Sequence, residues 1–331
     1  MKGLVAWARL SFAQQRWEIL LLALGVAVAI GLMLWMTSQL LGITAAYPEC
    51  DFFLDEDQVA LPPGCDSASQ VFFGLYSNAE IFLRNGWLFG FGVGLIVGIP
   101  LVARDIEHGT AHLAWTLDRS RTRWLLRRIA FGVLVVAVLL AGLAIMTDVL
   151  GAAMQPNDDL DRSFHFEGNR GVIIVARGIL ALGVGLLVGA VLGRQLPALL
   201  LGLIVTGLLY AAVTLAIGRW NETEAVEAWY DRDLGAPLFV GSGVRLASGE
   251  RLSMAEFYGD GSEAFQSEDG QLYATAADAD AKRDPIGQEY ILVIPGERYP
   301  QIMARASLVT AGAGVLLMIG AAMVTSRRRP T

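Results

Sequence analysis

Apolar residues form long uninterrupted stretches along this chain instead of alternating with polar residues at helical or strand spacing. Six of these stretches have about the length of the roughly 20 helical residues that cross a bilayer. We therefore predict an all-α membrane protein with six transmembrane helices. The predicted spans are approximately Trp17–Leu41, Gly86–Val102, Ile129–Met154, Gly171–Leu192, Leu196–Ile217 and Arg305–Thr325.

Polar intervals divide the chain into regions. The first five spans occupy 17–217 and enclose two long polar intervals, an external loop at 43–85 and a cytoplasmic hairpin at 104–128. A small mixed α/β external domain is predicted at 218–302, between spans five and six. Its short predicted strands, bounded by turn residues, are Leu238–Val240, Val244–Leu246, Gln271–Ala274 and Tyr290–Ile294. The remaining regions are a cytoplasmic interfacial segment at 1–16 and the sixth span with its cytoplasmic tail at 303–331.

Composition and charge support this topology. Hydrophobic residues make up 54% of the chain and charged residues 17%, whereas soluble domains contain about a quarter charged residues. With six spans, every arginine cluster near a span end falls on one side of the membrane and the acidic loops fall on the other. Because cytoplasmic loops are enriched in Lys and Arg, we predict that both termini are cytoplasmic. The lysine-poor, arginine-rich composition indicates a GC-rich bacterial genome, and the predicted location is the bacterial plasma membrane.

The first span could instead be read as a signal peptide. Its apolar core is longer than the 7–15 residues typical of a signal peptide, and no small-x-small cleavage site closes it before Thr44. Removing this span would leave five spans and would place the arginine clusters on conflicting sides. A membrane helix is therefore the preferred interpretation.

The only two cysteines, Cys50 and Cys65, both lie in the predicted external loop. The exterior is oxidising, so this position favours a disulfide over two free thiols. Two thiols without a nearby histidine do not complete a zinc site. The spacing of His108 and His112 puts both on one helix face, but a polar helix surface explains them better than a metal, and no metal site is predicted.

Two ionisable residues lie inside predicted spans. Asp148 is near the outer end of the third span, and Arg177 is about two turns inside the outer end of the fourth. Buried charges in membranes tend to be paired and often mark a pathway, so an intramembrane ion pair is one interpretation. A purely structural bridge, or extension of Arg177 to the interface, are the alternatives.

The hairpin at 104–128 is the segment with the most distinctive sequence. A helix is predicted over Asp105–Leu117, with Asp105 and Glu107 in its first turn, where acids favour the helix dipole. Asp118 or Ser120 can cap a second helix that runs into the third span. An ordinary arginine-rich cytoplasmic loop is the simpler alternative.

The stretch Pro100–Thr116, followed by Ser120–Leu125, closely resembles the permease subunits of ATP-binding-cassette transporters of the type-2 exporter family. In that family an acidic residue, then Glu-x-Gly-Thr, then a Ser/Thr-Arg turn follow the second span. The resemblance implies that this element contacts an ATPase subunit. The residues implied in that contact are Arg104, Asp105, Glu107, Gly109, Thr110 and Arg121.

The resemblance further implies a permease subunit of an ATP-driven exporter, paired with a second permease copy or a homologous permease and surrounded by membrane lipids. ATP and Mg would bind a separate ATPase subunit. The chain has no P-loop, since neither Lys2 nor Lys282 follows a glycine-rich turn. It also has no nucleophile–base constellation, so no enzyme is predicted. No nucleic-acid partner is predicted either.

Two alternatives remain at this point. The chain could be a transmembrane signal transmitter that uses an ATPase to drive an external partner without moving cargo. It could also be an ATP-independent channel or carrier, which would require ionisable residues near the bilayer midplane, where the spans contain mainly Gly, Ala, Val and Leu. The large acidic domain and the cysteine-containing loop depart from the family pattern and leave the substrate open.

Overall fold

The computed structural model describes residues 2–53, 62–110, 121–228, 236–258, 265–266, 271–273 and 286–327. Within these ranges the helices are α1 (Lys2–Ala46), α2 (Cys65–Arg84), α3 (Trp87–Glu107), α4 (Arg121–Met154), α5 (Ile173–Leu192), α6 (Gln195–Glu224), α7 (Met254–Tyr258) and α8 (Tyr299–Arg327). The strands are β1 (Val226–Ala228), β2 (Leu238–Leu246), β3 (Arg251–Ser253), β4 (Phe265–Gln266), β5 (Gln271–Tyr273) and β6 (Gly287–Ile294).

The six predicted spans are confirmed by length and composition. Among the described residues, six helical segments are long and apolar enough to cross a membrane. They comprise α1 from Gln15 onward, α2 with α3, α4 from Arg123 onward, α5, α6, and the segment Gly296–Arg327 that contains α8. Helix α1 bends at Gln15, where φ is −116° and ψ is 17°. This bend lies near the boundary between the interfacial segment predicted at 1–16 and the first span.

The predicted external loop at 43–85 is a loop only in part, because α2 occupies its second half. The buried side chains of α2 include Ala68, Phe72, Ala79 and Leu83, which recur at helical spacing and bury one face. The predicted disulfide between Cys50 and Cys65 is confirmed, with the two Cα atoms 5.6 Å apart. It attaches the start of α2 to the segment that follows α1.

Helices α3, α4 and α5 form the centre of the helical unit. Helix α5 is buried along most of its length, whereas α6 is largely exposed. Glycines at four-residue spacing, Gly90, Gly94 and Gly98, face α5, and a Cβ at Gly98 would lie 2.8 Å from the carbonyl oxygen of Leu182. Small residues at this spacing let two membrane helices approach closely, which explains the extensive contact between α3 and α5.

Residues 161–165 and 214–302 form a second compact unit. Its sheet is antiparallel with the strand order β3-β2-β6-β5-β4, and β1 also pairs with β6. The two short strands predicted at 238–240 and 244–246 are a single strand, β2, which continues through a bulge between Phe239 and Gly241. Val244, Phe257 and Leu272 form a small core between the sheet and α7. The predicted fold class, six spans with a small α/β region before the last, is therefore confirmed.

Candidate functional site

Helix α3 extends beyond its apolar part and ends in a compact turn. No helix breaker separates Val102 from Asp105, so the helix continues to Glu107. Gly109 follows with a φ of +70°, the left-handed conformation that glycine adopts readily after a helix C-terminus. The predicted new helix starting at Asp105 is therefore wrong: Asp105 and Glu107 belong to the last turn of α3. We call residues 104–110 the α3 turn.

Asp105 of the α3 turn forms a buried ion pair with Arg128 of α4. An Oδ2 to Nη2 distance of 2.5 Å joins them, and each side chain is 9% exposed. Arg128 also donates to the carbonyl oxygen of Leu101 at 2.7 Å and lies over the ring of Trp124 at 4.7 Å. Thr110 donates to Oδ1 of Asp105 at 3.2 Å. These contacts fasten the end of α3 and the turn after it to the start of α4.

Glu107 links the α3 turn to the start of α6. Its Oε2 accepts from the backbone N–H of Gln195 at 3.1 Å and from the side-chain amide of Gln195 at 3.2 Å. Gln195 is the first residue of α6, so Glu107 satisfies a backbone donor at a helix N-terminus, where a negative charge also favours the helix dipole. Glu107 is solvent-exposed, and its contact is therefore accessible at the surface.

Arg104 links the same turn to α1. Its Nη1 lies 3.0 Å from Oε1 of Glu18, and both side chains are partly exposed. Three acidic or basic residues within four positions of α3 thus contact three other helices: Arg104 with α1, Asp105 with α4, and Glu107 with α6. A displacement of the α3 turn would be transmitted to all three helices.

The sequence identified the members of the α3 turn but not their partners. Arg128 belongs to the arginine cluster before the third span, and no sequence signal marks it as the partner of Asp105. Nothing in the sequence singles out Glu18 or Gln195. Arg121 is the first residue of α4, and residues 111–120, which include His112, Asp118 and Ser120, lie outside the described residues. Nδ1 of His108 is 2.8 Å from the carbonyl oxygen of Arg104.

At the opposite ends of α4 and α5, the structure corrects the ion pair predicted between Asp148 and Arg177. Asp148 pairs instead with Arg170, with Oδ1 and Nη1 3.3 Å apart. Arg177 donates from Nη2 to the hydroxyl of Tyr210 at 2.8 Å. The physical reason is the course of the loop between α4 and α5, which places Arg170 beside Asp148. The spacing of the spans does not predict this placement. Across the described parts of the chain, no cluster of three or more His, Cys, Asp or Glu residues suits a metal ion.

Glu167 lies in the same loop and gives a pH-dependent prediction. Burial raises the pKa of this carboxyl from 4.5 to about 7. The pKa of Glu167 is higher in the folded chain than in the unfolded chain, so folding favours the protonated carboxyl. Its contribution to the free energy of unfolding is therefore fully present below pH 4.5 and is lost as the pH rises through 7. We expect the wild-type chain to lose about 2 kcal/mol relative to Glu167→Gln between pH 5 and pH 8. Thermal unfolding at both pH values measures this, with Glu80→Gln as an exposed control, and parallel pH profiles for wild type and Glu167→Gln would contradict it.

The model of the family described as ABC-2 membrane transporter related matches residues 21–218. This interval covers more than half of the 331 residues and contains the α3 turn together with its partners on α4 and α6. Neither the curated proteins nor the solved structures contain a significant match to the chain.

Proposed function

Because the chain belongs to the ABC-2 membrane transporter related family, we propose that it is the membrane-spanning permease subunit of an ATP-driven exporter. ATP and Mg bind a separate ATPase subunit, which docks on the α3 turn. The chain pairs with a second copy or with a homologous permease in a bacterial plasma membrane. Both termini and the α3 turn face the cytoplasm, which is the orientation that the arginine distribution favours.

The observation that carries this proposal is that residues of the α3 turn contact three other helices. The turn itself is exposed at Glu107, Gly109 and Thr110, so a partner can reach it. Its charged residues contact α1, α4 and α6. A partner that pushes on a turn with these properties moves three helices without having to contact any of them.

Coupling also requires an energetic difference between states. A nucleotide-bound ATPase shifts the permease between inward- and outward-facing states only if it binds one of them more tightly. Because Glu107 bonds the N-terminus of α6 through an exposed contact, that contact can form in one state and break in the other at a small cost. Glu107 is therefore the residue that tests coupling with the least disturbance of the fold.

We expect Glu107→Ala to leave the complex assembled and to lower transport-linked ATP hydrolysis roughly fivefold or more, the lower range of typical coupling energies. The measurement is the ATPase rate of the permease–ATPase complex in proteoliposomes, with co-purification as the readout of assembly. Glu80→Ala, an exposed glutamate on α2, is the matched control and should leave the rate unchanged. An unchanged rate in Glu107→Ala with intact assembly would refute the proposed role.

The signal transmitter remains the second candidate because of the course of α6. This helix starts at the residue that Glu107 binds, continues to Glu224, and is followed after one residue by β1 of the sheet unit. A movement of the α3 turn could thus be passed along one helix to the chain of the second unit. ATP hydrolysis that needs an external protein partner, with no accumulation of any compound in vesicles, would favour this function over export.

A further inference from the structure

Arg177 is a buried arginine within a membrane-spanning helix. It lies in the second turn of α5, roughly 6 Å from the start of the helix at 1.5 Å per residue. The residue is only 4% exposed. Charged residues inside a span normally face a partner or a water-filled cavity, so the surroundings of this guanidinium determine its role.

Its described contacts leave most of its hydrogen-bonding capacity unused. Nη2 donates to the hydroxyl of Tyr210 at 2.8 Å, and the guanidinium carbon lies 4.9 Å from the centre of the Tyr210 ring. Nε and Nη1 are both buried and have no hydrogen-bond partner within the described residues. A guanidinium carries five N–H donors, so a tyrosine alone does not satisfy it.

The positive charge also has no carboxylate beside it. The acidic residue predicted as its partner, Asp148, pairs with Arg170 instead, and no described carboxylate lies within ion-pairing distance of Arg177. An uncompensated buried charge is strongly unfavourable. The arrangement therefore calls for a negative charge from outside the chain.

The loop between α4 and α5 passes close to the guanidinium of Arg177. Gly168, with a φ of +73°, passes so close that a Cβ there would lie 3.2 Å from Nη2 of Arg177. Gly171, with a φ of +70°, has the same relation to Oδ2 of Asp148, again at 3.2 Å. Phe166 also has a positive φ, of 57°, which is uncommon outside glycine. Gly168 therefore approaches the guanidinium with backbone alone, whereas Phe166 and the buried Arg170, which pairs with Asp148, would move with the loop when it lifts.

We propose that Arg177 and Tyr210 form a binding site for an oxyanion of the phosphate type, which enters when the loop at 166–171 lifts. Phosphate oxygens match the fixed donors of an arginine, and the tyrosine hydroxyl adds a further polar contact. The group comes from the headgroup of an anionic phospholipid or from a soluble phosphate. The depth of Arg177, near the end of a span, is typical of headgroup contacts. The proposal does not depend on coupling to an ATPase.

The test uses the whole purified chain in detergent at constant ionic strength. One arm titrates dioctanoyl-phosphatidylglycerol, a second titrates inorganic phosphate, and a third titrates dioctanoyl-phosphatidylcholine as the zwitterionic reference. The midpoint of thermal unfolding reports binding, because a ligand of the folded state raises it. We expect phosphatidylglycerol to raise the midpoint of the wild-type chain more than phosphatidylcholine does.

Matched variants identify the site. In Arg177→Met the half-maximal concentration of phosphatidylglycerol should rise about tenfold or more, as expected for the loss of a charged hydrogen bond. Tyr210→Phe keeps the ring and removes the hydroxyl, and in this variant the half-maximal concentration of phosphatidylglycerol should rise about threefold. Arg251→Gln removes a largely exposed arginine of strand β3, outside the spans, and should leave the value unchanged.

Each outcome decides the proposal. A response to inorganic phosphate alone that disappears in Arg177→Met supports the site and identifies a soluble oxyanion as its ligand. An equal response of wild type and Arg177→Met to every anion overturns the proposal, as does the absence of any anion response in the wild type. If Arg177→Met fails to fold, Tyr210→Phe decides, since an unchanged response in that variant also overturns it.

Discussion

Asp105→Asn is expected to destabilise the chain by about 3 kcal/mol, the lower range for removing one partner of a buried ion pair. Asparagine keeps the size of the side chain and can still accept a bond from Thr110, so the change removes the charge and little else. The guanidinium of Arg128, on a side chain that is 9% exposed, would then lose the carboxylate of Asp105. The measurement is the midpoint of thermal unfolding of the purified chain in detergent, compared with wild type.

Two controls separate charge from packing. The double variant Asp105→Leu with Arg128→Met replaces the buried pair by apolar side chains and should recover most of the lost stability. Arg104→Gln removes the partly exposed pair with Glu18 and should cost less than about 1 kcal/mol. Equal losses of stability in Asp105→Asn and Arg104→Gln would show that the buried pair contributes no more to stability than the partly exposed one.

The two carboxylates of the α3 turn are therefore expected to differ in the effects of their loss. Asp105 is buried and pairs α3 with α4. Its loss should therefore lower the free energy of unfolding more than it lowers the activity of the folded protein. Glu107 is exposed and, among the described residues, bonds Gln195 at the start of α6, so its loss should lower coupling with little change in stability. A movement of the α3 turn would therefore keep the buried ion pair of Asp105 and could break the exposed hydrogen bonds of Glu107.

The spans were predictable because crossing a bilayer requires about 20 consecutive apolar residues, and six stretches of the sequence meet that length. Helix α2 was missed because its polar and apolar residues alternate with helical periodicity over only 20 residues, which is the pattern of a surface helix and not of a span. Strand β2 was divided in the prediction because Gly241 and Gly243 interrupt its apolar residues, whereas the backbone continues through a bulge.

The site was predictable in its residues but not in its contacts. Family resemblance identified Asp105, Glu107 and Gly109, and the turn at Gly109 follows from the conformational freedom of glycine. The partners Arg128 and Gln195 come from helices that follow the turn by about 20 and 90 residues, and no local pattern relates them to it. The same limit explains Arg177, whose contact with Tyr210 depends on how α5 packs against α6.

Helix α3 also supplies a matched pair of positions for testing the glycine contact at the centre of the bundle. Gly92 and Gly94 are two residues apart on the same helix and face different surroundings. A Cβ at Gly94 would overlap the carbonyl oxygen of Gly178 and would lie 2.7 Å from the Cβ of Ala181. A Cβ at Gly92 would meet no atom within 4 Å. The same substitution at the two positions therefore differs only in what the added methyl group touches.

We expect Gly94→Ala to destabilise the chain by about 3 kcal/mol, the upper range for overpacking, because α3 and α5 would have to move apart along a backbone contact that cannot yield. Gly92→Ala should be neutral or stabilise by up to about 1 kcal/mol, since alanine favours the helix over glycine. Thermal unfolding and the fraction of monodisperse protein after purification measure both variants side by side. Similar behaviour of the two variants would mean that α3 and α5 tolerate separation, and that close glycine packing is not what holds the centre of the bundle together.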